Sequence, residues 1–269
     1  MGTLPLPRKP RNIGECIYCG TTEGQLTKEH AVPYALHGTW TLLNASCGSC
    51  AVITSRFEKD TLDLYGHIRT ALKMRTRHPD KRLPTLPLVV DADRKKTIQV
   101  PVLEYPLYLP VPVFLPPGIK TGRPLTPGMS VLDLTLQHIA GPSYKEVQAR
   151  HGYDFVGTRH SFSPELFAQT LAKIAYCAGI YMLGLAPMRN SPLRQIILSN
   201  NLCFGHWIGS WSGDVINAQQ GPIAVKVLSS GATVEVVIRF FAQFNTPEYH
   251  VVLGTIDSEF VNSPEWPWK

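Results

Sequence analysis

Four of the six cysteines stand in two CxxC pairs, Cys16/Cys19 and Cys47/Cys50, with 27 residues between the pairs. Each pair can reach one tetrahedral ion through a tight turn, and four thiolates close the coordination sphere, so the chemistry expected is a structural Zn²⁺ site with no position for substrate. The competing reading, four buried thiols that happen to share this spacing, requires a coincidence of two regular pairs. Gly20 after the first pair and a helix opening at the second suit a knuckle-and-helix arrangement. Cys177 and Cys203 are isolated and flanked by apolar residues, and are expected in the core.

Between the knuckles lies a second group with chemical potential: Glu29 and His30, then Pro33, Gly38 and the run Trp40 to Ser46 that carries Asn44. The implied order is two short strands around a loop, then a helix. A Glu-His pair on its own is most simply a surface strand pair. An imidazole with an ordinary pKa of about 6.5 nevertheless keeps a neutral nitrogen near pH 7 that can take a proton from water.

The CxxC pairs, the acid-His-x-x-Pro element, the Asn ahead of the second knuckle and the helix opening at its last cysteine together resemble the HNH endonucleases, the ββα-metal nucleases, in their subgroup with an additional structural zinc. The resemblance covers Cys16 to about Glu58, about 45 of 269 residues. It implies metal-dependent hydrolysis of DNA phosphodiesters. Glu29 falls on the acidic ligand of a catalytic Mg²⁺ or another divalent cation, His30 on the general base, and Asn44 on the Asn that holds the loop and orients that base. The family has His or Asn just after the last knuckle cysteine as the second metal ligand; this chain has Ala51, whose methyl cannot coordinate. Thr54, Ser55 or His37 would have to substitute. Otherwise the chain is a catalytically degenerate HNH-fold nucleic-acid-binding module, in which restoring Asn or His at 51 should raise cleavage at least roughly tenfold, about 1.4 kcal/mol. A zinc-stabilised protein-interaction domain is the third possibility.

The elements needed to position these residues can be read from periodicity. Ile53, Phe57, Leu64, Ile68 and Leu72 predict one amphipathic helix from about Cys50 to Arg77, ended by His78-Pro79. Ten of the 23 prolines then fall between Pro84 and Pro127, flanking short β-branched runs, 88–90 and 97–100, that read as edge strands. Ser163 as N-cap, Pro164 at the first helical position and Glu165 in the first turn predict a helix running to about Gly184; a shorter one is expected at 191–200. The segment Ala172 to Tyr176 of the longer helix is similar to C-terminal regions that accompany this nuclease subgroup. Strands are expected at 203–208, 223–228, 234–241 and 249–256, and the aromatic residues Phe204, His206, Trp207 and Trp211 are read as packing. The fold class is therefore α+β: a zinc-stabilised ββα module with a long helix (1–82), a Pro-rich strand and connector segment (83–127), and an α+β domain of open role (128–269).

Charge supports an anionic partner. Residues 1–100 hold 15 Lys/Arg against 9 Asp/Glu, and residues 101–269 hold 11 of each, so all of the +6 lies in the first 100. Arg8, Lys9 and Arg11 suit an arm along a phosphate backbone, and Lys73, Arg75, Arg77, Lys81 and Arg82 a second cluster that also complements a helix C-terminus. Arg94, Lys95 and Lys96 read as a hairpin tip with Asp91 and Asp93 as turn residues. The longest apolar stretch, Ile174 to Met188, falls short of a membrane span and reads as a buried helix. The N-terminal twelve residues lack a secretory apolar segment, so a cytoplasmic protein without a membrane partner is expected, whose thiols serve metal binding rather than disulfides.

Overall fold

A computed structural model describes residues 2–3, 10–76, 83–124, 131–199, 203–213, 215–216, 221–264 and 266–268. The class is α+β. The chain opens with β1 (Gly2–Thr3) and β2 (Arg11–Asn12), then β3 (Thr27–His30), β4 (Thr41–Ser46), α1 (Gly48–Leu64) and α2 (Gly66–Ala71). Two antiparallel pairs follow, β5 (Thr85–Val89) with β6 (Thr97–Pro101), and β7 (Leu107–Phe114) with β8 (Val131–Ala140), the short α3 (Gly118–Thr121) lying between β7 and β8. The remainder contributes α4 (Tyr144–His151), α5 (Pro164–Leu183), α6 (Leu193–Leu198), β9 (Ile208–Trp211), β10 (Ile223–Ser230), β11 (Thr233–Phe240), β12 (Glu248–Thr255) and α7 (Ser258–Asn262).

The largest sheet is antiparallel with order β1-β10-β11-β12-β9, so the first strand of the chain closes one edge of the C-terminal half. Across it lies α5, whose start follows the predicted signals: the Ser163 hydroxyl accepts from the Leu166 N–H and Pro164 fills the first position. By length and composition α5 could cross a membrane, but 89% of its most apolar window is buried inside the fold, as for a core helix. Phe167 of α5 meets Phe240 and Tyr249 of the sheet at ring-centroid distances of 5.6 and 5.4 Å. One hydrophobic core draws on all three compositional segments, with Phe57 and Tyr65, Leu107 and Phe114, and Phe167 and Phe240 in the same cluster.

Two expected elements differ. The single helix 50–77 is broken at Tyr65 (φ −95°, ψ 15°) into α1 and α2, and the second piece stops at Ala71. Tyr65 is buried against Phe167, Phe240 and Phe241, with ring centroids 5.1 to 6.5 Å away, so tertiary packing overrides a continuous helical period; His78-Pro79 lies outside the described residues. The strand expected at 203–208 is instead a 3₁₀ turn, Phe204–His206, with β9 starting at Ile208 to pair with Val251. A short, mostly apolar run does not distinguish these two conformations. The Asp91 turn is as expected: its carboxylate accepts from the N–H groups of Lys95 and Lys96, and Arg94 is left-handed at φ 57°.

Candidate functional site

The knuckle cysteines are brought together from two separate turns. Gly20, at φ 82°, donates its N–H to Cys16 O and closes the first; Cys47 is the N-cap of α1, and the Ala51 N–H donates to its carbonyl. All four Sγ atoms lie within 4.8 Å of one another, with Cys19 and Cys47 at 3.7 Å. A tetrahedron with metal–sulfur bonds of about 2.3 Å has edges of about 3.8 Å, so the residues fit one ion. The donor chemistry agrees. The N–H of Cys50 holds the Cys47 thiol down to about 7, as expected at a helix start, while burial and the neighbouring Cys16 push Cys50 up. Four thiolates this close need a divalent charge among them. The cluster is positioned to bind a metal ion.

The ββα order is β3, β4, α1. Between the strands Pro33 leads into a 3₁₀ turn, Tyr34–Leu36, and the chain returns past Gly38, where a Cβ would stand 1.9 Å from the Val32 carbonyl oxygen. Glu29 and His30 pair with Leu42 and Thr41 across the hairpin. Asn44 lies on β4 at φ 50°, but its amide donates to Asn12 Oδ1 at 2.9 Å. It therefore ties β4 to β2, on the side of the strand away from β3, and does not reach the loop after His30.

Glu29 is buried, and its carboxylate lies 2.8 Å from the ammonium of Lys173 on α5. The same nitrogen meets Glu58 of α1 at 2.5 Å and donates to the His30 carbonyl. Burial alone would lower the pKa of Lys173, yet the charges of Glu29 and Glu58 carry it above its ordinary value. Sequence reasoning missed both partners. The signals were present: Glu58 lies seven residues after Ala51, two helical turns along the same face, and Lys173 is the one charge beyond the first turn of a 20-residue apolar helix, which folding tolerates only when it is paired.

The substitutes for Ala51 are engaged locally. Thr54 donates to Ala51 O at 3.2 Å and Ser55 to Val52 O at 2.8 Å, while His37 Nε2 accepts from the Arg75 N–H at 3.2 Å. Burial and then the Arg75 charge lower the His37 pKa, which keeps that acceptor neutral. A catalytic divalent ion held by Glu29 is thus not what these residues fit: the carboxylate faces an ammonium, and no side chain at 51 can complete the set.

Beside this centre the half-buried His30 borders two exposed residues, Tyr34 and Arg75. The His30 ring lies 6.4 Å from Tyr34 in an edge-on arrangement, and the Arg75 guanidinium sits 5.7 Å over the Tyr34 ring. Of the other basic candidates, Lys73 is exposed in a left-handed turn at φ 49°. Arg11 directs its guanidinium to Ile180 O at 2.7 Å and Tyr181 O at 3.4 Å, where it serves the C-terminal end of α5. Arg8, Lys9, Arg77, Lys81 and Arg82 lie outside the described residues. Cys177 is fully buried beside Tyr18, as expected, and Phe204 is buried against Phe114.

Comparison with known proteins finds no family model, curated protein or solved structure that matches this chain.

Proposed function

We propose that this chain is a nucleic-acid-binding module on an HNH-like frame, braced by zinc in the four-cysteine cluster and using the His30, Tyr34 and Arg75 surface to contact DNA. The juxtaposition of an exposed guanidinium and an exposed aromatic ring with a half-buried imidazole at their edge carries this reading. Arg75 supplies a charge-assisted donor to phosphate, and Tyr34 a face on which an unstacked base can lie. The excess of basic residues in the first 100 adds long-range attraction. Zinc is preferred over other ions because an all-thiolate tetrahedron is its ordinary structural site, and a reducing compartment, the cytoplasm, keeps those thiols available.

A second reading keeps endonuclease activity, with His30 as the base that activates water. The half-buried imidazole near Tyr34, over which Arg75 lies, favours it; the ion pair of Glu29 with Lys173 weighs against the metal-dependent form. The deciding experiment measures DNA binding at several salt concentrations, together with plasmid nicking in Mg²⁺ and in Mn²⁺. Salt-sensitive binding without nicking is the expected result. Nicking that disappears in His30→Ala would move the conclusion to the enzyme, and binding that is absent at low salt would overturn both.

A further inference from the structure

We infer that Lys173 is the resident cation of this site: its ammonium occupies the place between the strand acid Glu29 and the helix acid Glu58 where a divalent ion would need to sit, and so excludes one. The inference rests on geometry within the HNH-like frame and concerns the same site as the function proposed above.

An ammonium has three donors, and Lys173 directs them to three acceptors: Glu29, Glu58 and the carbonyl of His30. Its side chain is 0% exposed, against 9% for Glu29 and 21% for Glu58. The two carboxylates reach this nitrogen from different elements, one from β3 and one from α1, the same two elements from which a metal would draw its ligands. Glu58 also shares the helix face of Ala51, so the helix does present an oxygen ligand toward β3, two turns further along. What the pair holds is a monovalent cation fixed to α5. Two carboxylates around one ammonium leave a single negative charge, and Mg²⁺ or Mn²⁺ placed on the same oxygens would lie in contact distance of a positive nitrogen that has no exit to water. The cation and the ion therefore compete for one place, and in the folded chain the tethered one is always present.

Removing the ammonium should expose the competition. In the zinc-loaded full chain, without DNA, Mn²⁺ binding is read from the loss of the free-ion EPR signal. The parent should show no site tighter than about 1 mM that depends on Glu29. Lys173→Met should gain one site at least roughly tenfold tighter, and adding Glu29→Gln or Glu58→Gln should remove it. Lys173→Arg, which keeps the charge, should not gain it. Should Lys173→Met fold only when Mn²⁺ is present, that dependence supports the inference in the same way. If the parent binds one Mn²⁺ tightly and Glu29→Gln abolishes it, Glu29 is a metal ligand beside Lys173 and the inference is overturned. That comparison needs no change at Lys173, and it leaves the DNA-binding reading to its own measurement.

Discussion

The hydroxyls of Thr61 and Thr170 lie 2.8 Å apart in a fully buried seam, where Thr170 also donates to the Phe57 carbonyl. This is how α1, the helix of the ββα unit, is joined to α5 from the other half of the chain. Thr170→Val should cost about 1 to 3 kcal/mol, because the Thr61 hydroxyl is left buried and unpaired. The double variant Thr61→Val/Thr170→Val should lose less than the sum of the two single changes. Urea unfolding of the four proteins checks the coupling.

The cysteine cluster predicts close to one zinc per chain by elemental analysis. Strong chelators should unfold the knuckles, and Cys16→Ser should reproduce the effect. Because Cys50 holds its proton strongly when no metal is bound, ion binding must displace protons, and the apparent affinity should fall as pH falls. Zinc-free protein that keeps its fold with four titratable thiols contradicts the site.

Arg75→Ala should weaken DNA binding across sequences and lower the slope of log affinity against log salt by about 1. Tyr34→Ala should act differently, reducing affinity for single strands by about 1 to 3 kcal/mol with little change in salt slope. Equal losses on duplex and single strand in the Tyr34 variant would remove base stacking from the picture.

Restoring the missing ligand should not be enough. The sequence alone predicts a gain in cleavage from Ala51→Asn or Ala51→His, but Glu29 still faces Lys173 in those variants. Mn²⁺-dependent nicking should stay at background in each. A tenfold gain from Ala51→His alone would show that the ammonium yields to the ion.

Acid should destabilise the fold through His67. Burial, with the nearby His160 second, lowers its pKa from 6.5 to about 4. The unfolded chain therefore binds the proton more tightly, so this contribution is fully present above pH 6.5 and is lost as pH falls toward 4, on the order of 3 kcal/mol in all. The neutral ring is held against the Tyr105 hydroxyl at 3.2 Å. In His67→Gln the unfolding free energy should depend less on pH over that window.

What could be read in advance was whatever depends on neighbours in the chain. The knuckle ligands follow from spacing, the start of α5 from Ser163 and Pro164, and the turn at Asp91 from its composition, because each is a short-range relationship. The break at Tyr65 was not legible, since the rings that cause it belong to residues about a hundred or more positions away. The same holds for the centre. Glu29 and His30 were visible as a pair, but the partner that fixes their chemistry is 143 positions from His30. Asn44 was assigned to the loop by pattern, while the three-stranded order β2-β4-β3 gives its amide a neighbour on the other side.

The 115 positions between Glu58 and Lys173 also set an order of events during synthesis. At about 5 to 20 residues per second, Glu58 leaves the ribosome roughly 6 to 23 seconds before the lysine does. Throughout that interval the two acids face solvent without their counter-charge, and the apolar side of α1 lacks α5. During that interval the two acids lack the ammonium that later occupies the place between them, and completion of α5 supplies it.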